Sequence, residues 1–265
     1  MTRLASSRTT LDGWRVLLPR SDGWAPRAQA LLTERGATVV TSSLLASAPP
    51  PDPHLFARAL LRLERGDYDW VMVSSSSGAS ALTSRDLAIP SSTRLAAVGE
   101  ATADALRERG LRASFVATAA GSGDWADEWL REEGAGSPQR VLVVGSDIAP
   151  LSLGDALAAH GHEVDTVIAY STVLSAPDPE LAAKVHGGTI DAVFVTSGSV
   201  ARAVVRFFAP LPETVAVVTI GPATTREAEA AGLSVASTAK ERSVEGLVAA
   251  LESLAAGYGA PAGHG

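Results

Sequence analysis

The stretch "LAAVGEATADALRERGL", Leu95 to Leu111, has a near copy later in the chain, "VVTIGPATTREAEAAGL", Val217 to Leu233. Each copy consists of an apolar run, a Gly, a spacer, Ala-Thr, a helical pattern and Gly-Leu. An apolar run that leads through Gly into an amphipathic segment is typical of a strand followed by a helix. The sequence therefore predicts that one strand–turn–helix unit is built twice.

The repeat extends beyond this pair. "WRVLLPRSDGWAPRAQALLTERGATVV", from Trp14, matches "QRVLVVGSDIAPLSLGDALAAHGHEVD", from Gln139, at an offset of 125 residues. "YDWVMVSSSSGASAL", from Tyr68, matches "IDAVFVTSGSVARAV", from Ile190, at 122 residues, which is also the offset of the opening pair. We name these segments A1, B1, A2 and B2 in chain order. Because only two copies exist, the sequence indicates a duplicated half and not a solenoid.

Val-rich runs and amphipathic segments alternate along the chain. Continuous apolar runs are typical of parallel strands buried on both faces, and they cover 16–18, 71–73, 95–98, 141–144, 193–195 and 215–220. The helical patterns cover 25–35, 55–64, 101–109, 152–160, 179–185, 200–208, 224–231 and 244–254. Several of them end at a Gly that suits a left-handed helix terminus: Gly36, Gly66, Gly110, Gly161 and Gly232. The alternation predicts an α/β fold with open, doubly wound parallel sheets.

Composition limits the kinds of function that need consideration. The chain has no cysteine, which excludes disulfides and thiolate catalysis and is compatible with the cytoplasm, the location we expect. Its net charge of −7 argues against nucleic-acid binding. No apolar run approaches the ~20 residues of a membrane span, and "MTRLASSRTTLDG" has no apolar centre of a secretory signal. We expect residues 1–13 and 257–265 to be flexible tails.

Hydroxyls, glycines and helix starts follow the predicted strands. In an open parallel sheet ligands bind beyond the carboxyl ends of the strands, and free N–H groups at helix starts favour anions. For Thr102 or Thr224 alone, an N-cap is the simpler interpretation, and Arg20 is either a carboxylate ligand or an ordinary surface residue. The repetition of such turns nevertheless predicts substrate binding by Arg20, Ser74, Ser75, Ser76, Gly99, Thr102, Ser146, Thr196, Ser197, Gly198, Gly221 and Thr224.

Stronger catalytic and metal-binding patterns are missing. The chain has no Gly-x-Ser-x-Gly elbow with partners, no dinucleotide fingerprint after a strand and no P-loop. Asp69 and Asp191 recur, but at strand starts, where we interpret them as turn or edge residues. We interpret the pair His160 and His162 as a turn after a helix and not as metal ligands.

Two proline-containing stretches separate the repeated segments. The stretch 42–54, "SSLLASAPPPDPH", is a poor helix and a poor central strand, and 169–180, "AYSTVLSAPDPE", occupies the matching place after A2. Both suggest extended connectors that take the chain between two domains. Tyr170 in the second connector is either a structural residue or, if it lies in a cleft, a proton donor to a leaving group.

Seven stretches, taken in order, carry a resemblance to a known family. They are "VLLPR" at 16–20, "YDWVMVSSSSG" at 68–78, "AAVGEATADAL" at 96–106, "VLVVGSD" at 141–147, "AYST" at 169–172, "DAVFVTSGSV" at 191–200 and "TIGPATTREA" at 219–228. Their order and spacing, from about Trp14 to Leu254, resemble uroporphyrinogen-III synthase. The chain departs from the family at its first-strand turn, which is Leu-Pro-Arg and not Thr-Arg-Pro, and at the serines 74–77.

The resemblance implies two flavodoxin-like α/β domains with parallel sheets, joined by a two-stranded β linker, with the active cleft between them. A1 would pair with B2 in a first domain, 14–42 plus 175–256, and B1 with A2 in a second domain, 46–170. The two turns that begin at Gly99 and Gly221 would then lie one in each domain and hold one polyanion from two sides. Domains on such connectors imply hinge motion.

The implied substrate is hydroxymethylbilane, a linear tetrapyrrole with eight carboxylates. The implied reaction removes its hydroxyl, inverts ring D through a spiro intermediate and closes the macrocycle to uroporphyrinogen III, a precursor of heme, siroheme and cobalamin. The family is a lyase that uses no metal or organic cofactor, and Tyr170 matches its tyrosine. A monomer and a contact with the upstream deaminase are also implied. Alternatives are a non-catalytic domain that binds a tetrapyrrole or other polyanion, and a two-domain protein that binds a small polar metabolite.

Overall fold

The computed structural model describes residues 10–20, 23–84, 87–118, 122–148 and 152–258. The strands are β1 Arg15–Leu18, β2 Thr38–Thr41, β3 Leu45–Ala48, β4 Trp70–Val73, β5 Arg94–Val98, β6 Phe115–Ala117, β7 Arg140–Ser146, β8 Glu163–Leu174, β9 Ala192–Val195, β10 Ala216–Thr219 and β11 Val235–Thr238. The helices are α1 Ala25–Glu34, α2 Pro53–Glu64, α3 Ser76–Leu82, α4 Glu100–Arg107, α5 Ser122–Glu132, α6 Ser152–Ala159, α7 Pro179–His186, α8 Gly198–Phe208, α9 Pro222–Ala230 and α10 Val244–Tyr258.

The chain divides into two compact units. The first unit contains residues 1–46 and 174–265, and the second unit contains residues 47–173. The first unit has a five-stranded parallel sheet in the order β11-β10-β9-β1-β2. Read from β2 with the strands numbered 1 to 5 in chain order, this is the flavodoxin order 2-1-3-4-5.

The second unit has a six-stranded sheet in the order β3-β8-β7-β4-β5-β6. The pairs from β8 to β6 are parallel, and they repeat the order of the first sheet with β7 in the place of β1. In the first unit β1 pairs with β9, and in the second unit β7 pairs with β4. The predicted pairing of A1 with B2 and of B1 with A2 is therefore confirmed.

The chain passes between the units in two strands. One crossing lies in β3 and the other at the end of β8, and the two strands are neighbours in the second sheet. The N–H of Ser175 continues this pairing by donating to the carbonyl of Leu44 at 2.9 Å. The predicted fold class, two α/β units with parallel sheets and a two-stranded link, is confirmed.

Each sheet carries a core on both faces because alternate side chains of a strand point to opposite sides. In β1, Val16 and Leu18 pack in a cluster with α1 and α10, whereas Leu17 packs in a cluster with α7, α8 and α9. In β4, Val71 and Val73 pack with α2, α3 and α4, whereas Met72 packs with α5 and α6. Both faces are thus buried, which explains the continuous apolar runs of the sequence.

Aspartates at two strand starts tie neighbouring strands together. The Asp69 carboxylate accepts the N–H of Arg140 at 2.7 Å, and the Asp191 carboxylate accepts the N–H of Arg15 at the same distance. In each case the donor is the first residue of one strand, β7 or β1, and the aspartate directly precedes the adjacent strand, β4 or β9. The interpretation of both aspartates as strand-edge residues is confirmed.

The six strands predicted from apolar runs are confirmed, and the five left-handed glycines that follow helices have φ between 77° and 97°. The predicted helices are present with ends shifted by at most four residues. Two helices were missed. The serine-rich α3 has a composition typical of a turn, whereas the spacing of Trp125 and Trp129 in α5 was an available helical signal.

The predicted tail limits need correction. Leu11 is fully buried in the core of the first unit, and its N–H donates to the carbonyl of Arg35 at 2.9 Å, so the chain is anchored before residue 14. At the other end α10 continues to Tyr258. Residues 1–9 and 259–265 lie outside the described residues. Of the helices within the described ranges, none combines the length and apolar character that crossing a bilayer requires.

Candidate functional site

One group of predicted site residues lies at the carboxyl edge of the second sheet. Strands β4, β7 and β5 end there with Ser74, Ser146 and Gly99, because the strands are parallel. Tyr170 reaches the same edge from β8, where it lies opposite Ser146 after a register shift at Gly145. The sheet thus brings residues from four strands to one edge.

Tyr170 and Ser75 are in direct contact. Their hydroxyl oxygens are 2.9 Å apart, and either oxygen can be the donor. Ser75 is also the N-cap of α3, because its Oγ accepts the N–H of Gly78 at 3.0 Å. Both residues are half-buried. The tyrosine hydroxyl is therefore held at a fixed place beside the end of β4.

Asp147 fixes the strand that carries Tyr170. Its N–H donates to the Tyr170 carbonyl at 3.3 Å, and its carboxylate accepts the N–H of Thr172 at 2.9 Å. Sequence analysis included Asp147 in the stretch 141–147 but not among the site residues. The signal for its role, an Asp three residues after the predicted strand 141–144, was present in "VLVVGSD".

The neighbouring serines bond to the backbone. Ser74 donates to the Val144 carbonyl at 3.3 Å, and Ser76 donates to the Ala101 carbonyl at 3.0 Å. The second bond links the start of α3 to the start of α4. These contacts give both serines structural roles in addition to any contact with a ligand.

Gly99 and Thr102 form the start of α4. Gly99 is the N-cap and has φ of 77°, a left-handed conformation that favours glycine. Thr102 is not a cap, so that interpretation is wrong: it lies in the first turn of α4 and is 3% exposed. Among the described residues its hydroxyl has no hydrogen-bond partner.

The second group lies at the carboxyl edge of the first sheet. Thr196 follows β9, and Ser197 caps α8 by accepting the N–H of Val200 at 3.3 Å. Gly198 begins α8, and a Cβ there would collide with the Glu227 carboxylate of α9, 1.5 Å from its Oε2. Gly198 therefore makes room for a neighbouring helix, which is a structural reason for this glycine.

Gly221 and Thr224 begin α9. Gly221 has an extended backbone with φ of 169° and open space where a Cβ would lie, so its conformation does not require glycine. Thr224 is in the first turn and 7% exposed, so it is not the cap either. The cap region is held instead by Thr225, whose hydroxyl contacts those of Thr219 at 2.6 Å and Thr238 at 2.8 Å. Sequence reasoning missed this threonine cluster.

Arg20 is half-buried two residues after β1. It follows the strand that lies beside β9, and Thr196 follows β9. Its guanidinium is the cation among the predicted site residues. A bidentate ion pair with a carboxylate is the interaction that this side chain forms best.

A cavity of about 470 Å³ in the second unit lies between α2 and β8 and contains none of the predicted residues. Arg62 forms ion pairs there with Asp67 and Asp165, and Tyr68 donates to Asp165 at 2.7 Å. Burial raises the pKa of Tyr68, and the bond to Asp165 raises it further. Because Arg62 lies on α2 and Asp165 on β8, these contacts fasten α2 to the sheet.

The histidine pair has structural contacts. His162 is buried, accepts the N–H of Gln139 at its Nδ1 at 3.1 Å, and meets the Trp129 ring edge-on at 5.2 Å. Burial lowers the pKa of His162, and the nearby His160 lowers it further. Within the described ranges no three His, Asp or Glu side chains are grouped so that they could hold a metal ion.

Each sheet edge therefore offers hydroxyls, backbone N–H groups and helix starts. The starts of α4, α8 and α9 direct free N–H groups and the positive end of the helix dipole outward. Such groups bind carboxylates and phosphates. Only the second unit adds a tyrosine hydroxyl that is positioned by another side chain among the residues described.

Comparison with known proteins identifies related chains. The model of the family "HEM4: Uroporphyrinogen-III synthase HemD" matches residues 26–249. A mutant uroporphyrinogen III synthase from the extremely thermophilic bacterium Thermus thermophilus is 18% identical, covers 92% of this chain and 99% of its own, and has a TM-score of 0.57. Uroporphyrinogen-III synthetase from Helicobacter pylori is 17% identical, covers 91% and 99%, and has a TM-score of 0.61. At these identities the likeness shows a shared fold. A search of curated proteins gives no match.

Proposed function

The chain belongs to the uroporphyrinogen-III synthase family, whose model matches most of its length, and we propose that it converts hydroxymethylbilane to uroporphyrinogen III. Beyond the family match, one observation supports this proposal most directly. Tyr170 presents a hydroxyl, held by Ser75 at 2.9 Å, at the edge where an open α/β sheet binds its ligand.

The proposed reaction begins with loss of the substrate hydroxyl. The hydroxymethyl C–O bond breaks, the oxygen takes the proton of Tyr170 and leaves as water, and the pyrrole nitrogen supplies electrons to the carbon. Ring D is inverted through a spiro intermediate, and the final ring closure releases a proton that the Tyr170 phenolate accepts. The balance is the loss of one water, so the enzyme would be a lyase that acts by general acid catalysis.

Most of the other predicted residues would bind the carboxylates of the substrate. Hydroxyls of Thr102 and Thr224 have no partner among the described residues, and both lie in the first turn of a helix. Arg20 can hold one carboxylate bidentately. We propose that catalysis consists mainly of holding the substrate chain so that the inverted ring closes before the spontaneous, uninverted closure.

Three further features belong to this proposal. The substrate cyclises spontaneously without inversion of ring D. Direct transfer by contact with the deaminase that makes it would therefore limit formation of isomer I. One chain carries the tyrosine and both groups of donors, which supports action as a monomer. The cytoplasm is the proposed location, and the absence of cysteine is compatible with it.

The isomer composition of the product tests the proposed function. Hydroxymethylbilane is generated in situ, the purified protein is added, and the uroporphyrins are oxidised and separated by chromatography. Isomer III above the level of a control without protein is the expected result. Isomer I alone from folded protein would contradict synthase activity, and tight binding without turnover would then favour a non-catalytic tetrapyrrole-binding protein.

A further inference from the structure

We propose that Ser75 is a positioning residue for Tyr170, which keeps the tyrosine proton directed at the leaving hydroxyl and stabilises the phenolate that remains. This inference rests on the proposed function. It replaces the sequence-based assignment of Ser75 as a substrate ligand.

The Tyr170 proton is not used in the contact with Ser75 if Ser75 is the donor of that hydrogen bond. A serine hydroxyl has one donor and two acceptor positions. The N–H of Gly78 uses one acceptor position at 3.0 Å, and the Tyr170 oxygen lies 2.9 Å from the Oγ. When Ser75 donates its proton to the Tyr170 oxygen, the Tyr170 proton is free to point at the substrate.

The same bond becomes stronger during the reaction. After Tyr170 gives its proton to the departing oxygen, the phenolate accepts the O–H of Ser75 in a charge-assisted hydrogen bond. A hydrogen bond to the charged form favours that form. The phenolate regains a proton at ring closure, and Ser75 keeps its own proton throughout, so no other reactant is needed.

Close packing fixes the place of Ser75. A Cβ at Gly78 would lie 3.2 Å from the Ser75 Oγ and 3.3 Å from the Val73 Cγ1. Gly78 is buried in the first turn of α3. The glycine therefore gives the Ser75 hydroxyl the space in which it meets both Gly78 and Tyr170.

Comparison of the two copies of the repeat shows that a serine can cap its helix without a tyrosine beside it. The repeat offset of 122 residues places Ser197 at the position of Ser75, and Ser197 caps α8 in the same way. The offset of 125 residues places Leu45 at the position of Tyr170, and Leu45 packs against the core of the first unit. The cap is common to both units, whereas among the described residues the contact between the cap serine and a tyrosine hydroxyl is confined to the second unit.

A double-mutant cycle tests whether Ser75 acts through Tyr170. Ser75→Ala is expected to lower kcat about tenfold with little change in KM. In the Tyr170→Phe background the same substitution is expected to change kcat by less than about twofold. Ser75→Thr, which keeps a hydroxyl, should restore most of the rate. Ser75→Asp can still accept the N–H of Gly78 but cannot donate to Tyr170, so its kcat should remain low.

Two measurements separate this role from stability. Asp178→Ala removes the cap of α7, which accepts the N–H of Glu180 at 2.8 Å; it should lose thermal stability like Ser75→Ala but keep kcat. In protein labelled with ¹³Cζ-tyrosine, the Tyr170 signal, assigned with Tyr170→Phe among three tyrosines, should move in Ser75→Ala and much less in Ser75→Thr.

The outcomes distinguish the inference from the proposed function. Suppose that the wild type forms isomer III. If the fold-losses in kcat of the two single mutants then multiply in the double mutant, Ser75 does not act through Tyr170, and the inference alone is overturned. A Tyr170 signal that does not move in Ser75→Ala would overturn it as well. A rise in KM of equal size in both backgrounds would show that Ser75 binds substrate directly. No isomer III from folded wild type would overturn the proposed function and this inference with it.

Discussion

At the scale of single residues, equivalent positions in the two halves of the repeat differ in their side-chain contacts and backbone conformation. Ser75 and Ser197 are equivalent caps, but only Ser75 meets a tyrosine. Gly99 and Gly221 are equivalent in sequence, yet only Gly99 has a left-handed backbone. Duplication therefore copied the turns at the strand ends, whereas the contact between a serine and a tyrosine hydroxyl belongs to the second unit among the residues described.

Replacing Tyr170 by Phe removes the proposed general acid. We expect kcat to fall about a hundredfold, since general acid catalysis contributes ~10²–10⁴ in rate, while KM changes little. The measurement is the initial rate of isomer III formation. Tyr68→Phe is the matched control, because it also loses a hydroxyl with a hydrogen bond, to Asp165; it should keep its rate. A wild-type rate in Tyr170→Phe would remove Tyr170 from the mechanism.

Alanine at the two helix-start glycines should affect different properties, stability at Gly99 and substrate binding at Gly221. Gly99→Ala forces a left-handed alanine and should cost about 1–2 kcal/mol in free energy of unfolding. Gly221→Ala fits its extended backbone without a contact within 4 Å, so stability should hold while KM rises several-fold, because the methyl group would cover the start of α9. Urea unfolding and steady-state kinetics on both variants check this. Equal KM values for Gly221→Ala and wild type would show that ligand does not approach there.

At the scale of elements, neighbouring strands are joined by side-chain hydrogen bonds at their starts as well as by the backbone hydrogen bonds between them. The Asp69 and Asp191 carboxylates accept the first N–H of β7 and β1, respectively. Both aspartates lie at the amino edge, away from the candidate site of their sheet. Their repetition therefore reflects stability of the doubled fold and not chemistry.

Asp191→Ala should lower the free energy of unfolding by about 1.5–3 kcal/mol, because a hydrogen bond from a backbone N–H to a carboxylate is lost. Asp191→Asn, which keeps an acceptor oxygen, should lose less. Chemical denaturation measures both, and kcat per folded molecule should stay unchanged. A fall in kcat without loss of stability would give this carboxylate a functional role.

The contact between α5 and the residues that precede β8 predicts a pH dependence of stability. The pKa of buried His162 is lowered in the folded state, so the unfolded chain binds the proton more readily. The free energy of unfolding should therefore fall as the pH drops below about 6.5, the ordinary value of His. His162→Asn keeps an acceptor for the Gln139 N–H and should flatten this slope, whereas His54→Asn, at an exposed position, should not. An unchanged slope in His162→Asn would assign the effect to other groups.

At the scale of the whole molecule, each unit has its own sheet and two core clusters. The second unit is one continuous segment, and its clusters contain residues 56–169 only. The first unit is assembled from the two ends of the chain. The permuted strand order of the second unit follows, since it begins with B1 and finishes with A2.

A fragment of residues 45–174, which keeps β3 and β8 whole, is expected to fold alone. Its two clusters include Trp70, Trp125 and Trp129, which are fully buried, so a cooperative thermal transition with a blue-shifted tryptophan emission should result. A fragment of equal length, 10–139, divides both sheets and should remain unfolded. Lack of a cooperative transition in 45–174 would show that the second unit depends on the first.

The sequence by itself determined six of the seven interior strands and the duplicated order, and the family resemblance implied the pairing of A1 with B2. A strand that is buried on both faces has a continuous apolar run, and such a run can be recognised from neighbouring residues of the sequence alone. The same rule explains the omissions. Four of them, β2, β3, β6 and β11, are the edge strands of the two sheets, and an edge strand does not need a continuous apolar run. The fifth, β8, alternates buried and more exposed residues along its second half, so it has no continuous apolar run either.

Only the tertiary structure decided how the site residues meet. Tyr170 and Ser75 are 95 residues apart in the chain, and their contact depends on the register of β8 against β7, which shifts just before Ser146. Thr102 and Thr224 were interpreted as caps because helix starts are not fixed to one residue by sequence, and Gly99 and Gly221 took that place. Hydrogen bonds between distant residues follow from strand register and helix starts, and these are set by packing of the whole unit.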